Sequence, residues 1–192
     1  MKHSFVLFLV LTSFVLVAFG RPSNKVLLTA RWNDLEETLR VSRPTSIEEA
    51  VSLLDDQFFK KSQYALVFDS LSPQTSSPEA PRVLLFGKDK KLRLGFNHLK
   101  KDGRDLEVIH FVEATQTWEF REVKFGKRGP VISQPNPNLC IQCHDDFKPK
   151  FQGPMMQALR RLSKRKLDIS AFTKKVKTDP IFRRLQDPPK TL

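Results

Sequence analysis

The chain has 192 residues, of which 40% are hydrophobic and 28% are charged. This composition excludes an intrinsically disordered chain, and the length fits one ordinary domain or one domain with an appendage. The net charge of +12 is placed unevenly, with 19 Lys and Arg against 18 Asp and Glu from Arg21 to Asp146, but 13 against three from Phe147 to Leu192. Such asymmetry of charge bears on binding partners and on the electrostatic field of the protein rather than on its fold.

The first twenty residues resemble an export signal. Lys2 precedes a long apolar run, and the small residues Ala18 and Gly20 end it. This pattern predicts a signal peptide at residues 1–20 that is cleaved after Gly20. The alternative is an uncleaved membrane anchor, but the run is shorter than the roughly 20 residues that span a bilayer. We therefore expect a periplasmic or secreted protein.

Two helices are predicted before the first strand. Apolar residues recur at helical spacing between Trp32 and Leu39, which favours a short helix. A second helix is predicted from about Ile47 to Lys61, because Ser46 and Glu49 form the capping-box pattern.

Five strand-like segments follow, and the last four come in quick succession. They comprise residues 64–70, 82–87, 92–98, 105–113 and 117–125. The links between the last four are short, as in antiparallel hairpins, whereas parallel strands need a long crossover. The pattern therefore predicts an antiparallel meander of four or five strands, with the early helix covering one face.

In two of these strands, the positions of the apolar residues indicate which side faces the core. In the segment 105–113, one side carries Leu106, Val108, His110 and Val112, which we expect to face the core. In the last strand, the aromatic pair Trp118 and Phe120 is out of phase with Val123 and Phe125, which predicts a bulge or twist near Arg121.

The residues Cys140-Ile141-Gln142-Cys143-His144 form a C-x-x-C-H pattern and contain the only two cysteines of the chain. This pattern is the attachment signature of c-type haem. The two thiols would form thioether bonds with the vinyl groups of haem, and His144 would give a nitrogen to the iron. On a helical turn, Cys140, Cys143 and His144 share a face and can meet one flat macrocycle. We therefore expect one covalent haem c per chain.

Three other interpretations of the motif compete with haem attachment. They are a dithiol redox pair, half of a zinc site and a chance match. The predicted export favours haem, because bacteria attach covalent haem outside the cytoplasm.

The motif stands between two different regions. Before it, residues 126–138 form a connector rich in Gly and Pro, and Asn138 is predicted to cap a short helix that begins at Leu139. After it, the basic residues 147–192 are predicted to be helical, with starts near Gly153-Pro154, near Asp168 or Ser170, and at Asp179-Pro180.

These elements together predict an α+β fold. It would consist of an antiparallel β-meander, an N-terminal helix, a short haem-motif helix and basic C-terminal helices. The predicted organisation is a signal peptide at 1–20, an α+β domain at 21–132, and a haem-binding segment with a basic tail at 133–192.

The sixth iron ligand has several candidates. Methionine or histidine commonly fills this position in electron carriers, and Met155 and Met156 are the candidates after His144. Both could instead be core methionines of an amphipathic helix. His98 and His110 from the sheet are alternatives, although His110 lies on the apolar face, where a core histidine is more usual. An open or water-bound site is the remaining possibility.

A resemblance supports the haem interpretation. The segment from Ser133 to His144, together with Trp118–Val123, resembles a group of exported bacterial proteins with a C-x-x-C-H motif behind a β-rich domain, of which Bdellovibrio-like predators have several. The resemblance covers about residues 82–146 and implies c-type haem. Members commonly follow the motif histidine with glycine and aromatic residues, whereas this chain has Asp145-Asp146-Phe147.

The favoured function is single-haem electron transfer in the periplasm, with the basic tail steering an acidic redox partner. One alternative is a haem enzyme or sensor with an open iron site, although no catalytic pattern is visible. Another is a haem-free secreted binding protein that uses its basic helices. Contact with an anionic membrane surface is compatible with those helices. Nucleic-acid binding is not expected, because the tail lacks the interleaved aromatic residues of a single-strand binder.

Overall fold

The computed structural model describes residues 31–59, 63–68, 74, 76–99, 105–145, 147–149 and 178–186. The predicted signal peptide, Met155, Met156 and the first two predicted helices of the tail lie outside the described residues. Their assignments therefore stay predictions. In the described part of the chain, no helix is long and apolar enough to cross a membrane.

The described residues form an α+β structure with a six-stranded sheet. The helices are α1 (Trp32–Ser42), α2 (Ile47–Ser52), a 3₁₀ helix (Asp56–Phe59), α3 (Asn138–Cys143) and α4 (Pro180–Gln186). The strands are β1 (Tyr64–Val67), β2 (Arg82–Phe86), β3 (Leu92–Phe96), β4 (Asp105–Val112), β5 (Thr117–Lys124) and β6 (Val131–Ile132). Each strand pairs antiparallel with its neighbour in chain order. The predicted antiparallel meander is confirmed, and β6 is an addition to it.

One face of the sheet, here called the core face, supports the main hydrophobic core. Helices α1, α2 and α4 and the 3₁₀ helix contribute buried side chains to this core. Because directly paired residues of antiparallel strands point to the same side, the register defines the face. Its buried sheet residues are Val83, Leu85, Leu92, Leu94, Phe96, Leu106, Val108 and Val123. The predicted core face of β4 and the predicted covering of the sheet by an early helix are therefore confirmed.

Helix α2 is shorter than the sequence predicts, and a distant arginine binds carbonyl groups at and just beyond its end. The Arg184 guanidinium donates to the carbonyl oxygens of Val51 at 3.0 Å and Leu54 at 2.7 Å. It also forms an ion pair with Asp56 at 2.6 Å. The carbonyl oxygens at a helix end need outside partners unless the helix continues. Arg184 supplies partners of this kind and so links α4 to the end of α2 and to the 3₁₀ helix.

The bulge expected near Arg121 does not occur in the described strands. Pairing between β4 and β5 is continuous from Asp105 opposite Lys124 to Val112 opposite Thr117. Phe120 and Val123 point to opposite sides, yet they are only 1% and 0% exposed. The prediction was wrong because it assumed that only one face of this strand is buried.

The contribution of α4 to the core can be measured with Phe182→Ala. Phe182 is 1% exposed in the main core, and truncation of such a side chain costs about 3–5 kcal/mol because it leaves a cavity. We expect a corresponding loss in the free energy of unfolding, measured by urea titration. Val41→Ala is the control, because Val41 is exposed and its truncation should change this free energy by less than about 0.5 kcal/mol. Equal unfolding midpoints for the two variants would contradict the placement of α4.

Candidate functional site

The short helix α3 holds the C-x-x-C-H motif. It begins at Asn138, and Pro137 occupies the N-cap position without a side-chain cap. The predicted Asn138 cap is therefore wrong by one residue. Cys140 and Cys143 lie within α3, and His144 ends it by donating its backbone N–H to the carbonyl oxygen of Cys140 at 3.0 Å. The three motif residues thus lie within little more than one helical turn, as predicted, and both thiols are free.

Two polar residues of the connector attach α3 to β5. Asn136 donates its backbone N–H to the carbonyl oxygen of Phe120 at 2.8 Å and accepts the Phe120 N–H on its side-chain oxygen at 3.0 Å. Its φ of 55° lies in the left-handed region, which asparagine tolerates well. Ser133 makes the same two contacts with Glu122, at 2.9 and 3.0 Å. The connector therefore continues the pairing of β6 along β5 and fixes the position of the motif.

The His144 ring is held on both its face and its edge. It stacks on the Phe120 ring, with 4.5 Å between centroids and 26° between planes. Its Nδ1 lies 2.9 Å from the carbonyl oxygen of Lys148. Because a carbonyl oxygen can only accept, Nδ1 carries the hydrogen, and Nε2 of the neutral ring has a free lone pair. Metal-ligating histidines are usually oriented in this way by a second hydrogen bond.

The two thiols differ in their surroundings. Cys140 is half-buried and Cys143 is exposed. Burial, followed by the charges of Glu107 and Glu122, raises the pKa of Cys140 to about 11. Dithiol redox proteins need a thiol whose pKa is lowered, since the thiolate is the nucleophile. The environment of Cys140 therefore does not favour the interpretation as a redox pair.

The described residues also bear on the interpretation of the motif as half of a zinc site. Within them, no group of three or more His, Cys, Asp or Glu side chains is arranged to hold a metal ion. Structural zinc sites almost always have four protein ligands. Cys140, Cys143 and His144 are therefore not joined by a further described ligand.

The two histidines proposed as alternative iron ligands point away from the motif. His98 donates from Nε2 to Asp179 at 2.9 Å, and His110 stacks on Trp32 at 5.6 Å. Both lie on the core face, whereas His144 stacks on the opposite side of the sheet. Burial also lowers the pKa of His110, which fits a neutral core histidine. Neither histidine faces an iron held by His144, and the methionine candidates lie outside the described residues.

The motif borders a groove that the sequence did not predict. The groove has a cavity volume of about 60 Å³, and His144 and Pro149 form one part of its wall. Its other wall is the sheet surface opposite the core face, here called the outer face. The groove side chains of the outer face are Arg82, Leu84, Phe86, Arg93, Glu107 and Ile109. Their alternation with core residues along β2, β3 and β4 was the signal that could have indicated a second functional face.

The attachment of the motif to β5 can be tested at Asn136. Asn136→Gly keeps the backbone freedom for a φ of 55° but removes the side-chain acceptor of Phe120. We expect faster hydrogen exchange of the Phe120 amide and a loss of about 1 kcal/mol in the free energy of unfolding. Asn136→Ala should lose roughly 1 kcal/mol more because alanine is strained in this region. Unchanged exchange at Phe120 in both variants would show that this contact does not hold the motif.

The raised pKa of Cys140 predicts slow alkylation of haem-free protein. In Cys143→Ser at pH 8, a thiol with a pKa of about 11 has about a hundredfold less thiolate than an ordinary cysteine with a pKa near 9. Because a thiolate of higher pKa is also more nucleophilic, we expect Cys140 to react with iodoacetamide at least about tenfold more slowly in the folded protein than in urea. The rate in the folded protein should still rise above pH 10. A rate that levels off below pH 9 would contradict the raised pKa of Cys140.

Comparisons with known proteins add no relative. No protein-family model, curated protein or solved structure matches the chain. The resemblance to exported proteins with a C-x-x-C-H motif therefore stays a prediction, and the function has to be argued from the residues of the site.

Proposed function

We propose that the protein is a single-haem c-type protein that transfers electrons in the periplasm or outside the cell. Cys140 and Cys143 would attach the haem, and His144 would bind the iron through Nε2. When bound, haem c supplies an iron that gains or loses one electron. Each chain would carry one haem.

The observation that supports this proposal best is the orientation of His144. The hydrogen bond from Nδ1 to Lys148 leaves the Nε2 lone pair available. The Phe120 stack holds the ring plane, and α3 places both cysteines in the preceding turn. Cys140 is a poor nucleophile at neutral pH, which disfavours a dithiol enzyme.

The surroundings of the motif also suit an apolar group. Leu139 in α3 and Phe147 just beyond it are both exposed large apolar side chains. Removing exposed apolar surface from water is favourable. A haem held at Cys140 and Cys143 would cover apolar surface of this kind.

Electron transfer is favoured over catalysis by the charge distribution. The sequence after the motif is strongly basic, and a field of this kind accelerates encounters with an acidic partner protein. An anionic membrane surface is a second compatible partner for the same residues. Met155 and Met156 remain the proposed candidates for the sixth ligand, because the described histidines of the sheet lie on the core face.

Expression with a haem-attachment system tests the proposal. We expect one haem per chain that stays bound after denaturation and solvent extraction, and that is lost in the double variant Cys140→Ala, Cys143→Ala. His144→Ala should lose the proximal ligand and change the absorption spectra of both oxidation states. His110→Gln is the matched control and should keep the wild-type spectra, since His110 lies on the core face.

Two results would change the conclusion. Folded wild-type protein that carries no covalent haem would overturn the proposal. Reduced protein that binds carbon monoxide readily would retain the haem but indicate an open iron site, and therefore a sensor or enzyme rather than an electron carrier.

A further inference from the structure

Arg82 extends across the middle of the outer face. It lies on β2, and its guanidinium passes Gly95 on β3 to form an ion pair with Glu107 on β4. A Cβ atom on residue 95 would lie 2.6 Å from Nη2 of Arg82 and 3.1 Å from a methyl group of Leu84. Because the first distance is too short for a carbon contact, any other residue at position 95 would displace the guanidinium. Gly95 therefore provides the space that Arg82 occupies.

Arg82 has a donor without a partner. The residue is only 8% exposed, and its Nε has no hydrogen-bond partner among the described residues. Buried polar groups nearly always have partners, so this donor on a residue of the groove wall is available to an acceptor that a ligand supplies. A guanidinium N–H is also a strong donor to a carboxylate.

Charged side chains line the described part of the groove. Arg93 lies in the same groove, stacks over the Trp118 ring at 4.6 Å, and has a pKa that burial lowers. Among the described groove residues, two guanidinium groups therefore accompany one carboxylate, that of Glu107. Partly desolvated cations of this kind favour a ligand with negative charge.

We propose that this groove holds the carboxylate edge of the haem, with Nε of Arg82 donating to a propionate. This inference rests on the proposed function. The macrocycle is amphipathic, and the groove is too, because Leu84, Phe86 and Ile109 lie beside the two arginines.

The groove also adjoins the attachment site directly. His144 is part of its wall, and the charges of Glu107 and Arg82 both act on the Cys140 thiol. A group attached at Cys140 would therefore lie within reach of the guanidinium of Arg82.

Resonance Raman spectroscopy of the haem-loaded protein tests this contact, because the propionate bending band reports hydrogen bonding to the carboxylate. We compare Arg82→Gln, which removes the donor, with Gly95→Ala, which keeps the charge but displaces the guanidinium. Arg184→Gln is the matched control, since Arg184 is also a partly buried, ion-paired arginine but lies on the core face. We expect the band to shift in the first two variants and to stay unchanged in the control. Thermal unfolding confirms that each variant is folded.

The outcomes separate the two proposals. An unchanged band in folded, haem-loaded Arg82→Gln and Gly95→Ala would overturn the propionate contact and leave haem attachment intact. An equal shift in Arg184→Gln would also overturn it, because the effect would then not be specific to the groove. Wild-type protein without covalent haem would overturn both proposals together.

Discussion

The unbroken register between β4 and β5 is the constraint on which the rest of the structure depends. Because successive side chains alternate, this register directs Val123 into the main core and Phe120 to the outer face. The Phe120 ring then supports the ring of His144. The backbone carbonyl oxygen and N–H of Phe120 both form hydrogen bonds with Asn136. A shift by one residue would exchange the two faces and separate the motif from its support.

Long-range arginines connect the parts of the chain that flank this sheet. Arg184 links α4 to the end of α2 and the 3₁₀ helix, where its guanidinium also lies 3.8 Å from the Phe59 ring. Arg82 connects three strands across Gly95. Both arginines are largely removed from water, where an ion pair contributes to stability only if hydrogen bonds satisfy its remaining donors. Arg184 uses two carbonyl groups for this purpose, whereas the Nε of Arg82 has no hydrogen-bond partner among the described residues.

The two faces of the sheet consequently differ in chemistry. The core face contains histidines with structural partners, as His98 shows with Asp179. Burial is the largest single effect on Asp179 and raises its pKa. The hydrogen bond and charge of His98, together with the backbone N–H groups of Phe182 and Ile181, outweigh burial and lower the pKa of this carboxyl below its usual range. Asp179 also caps α4 through the backbone N–H groups of Ile181 and Phe182. The outer face instead collects the motif histidine and a groove with two arginines.

The sequence by itself determined the features that depend on local contacts. The strand spacing predicted the meander, the Ser46 cap was confirmed by its contact with the Glu49 N–H at 3.2 Å, and the motif spacing predicted one turn for Cys140, Cys143 and His144. Only the tertiary structure decided where α2 ends, that His98 and His144 lie on opposite faces of the sheet, and that Arg82, Gly95 and Glu107 meet beside His144. These features depend on contacts between residues far apart in the chain, and alternation within a single strand cannot show that both of its faces are buried.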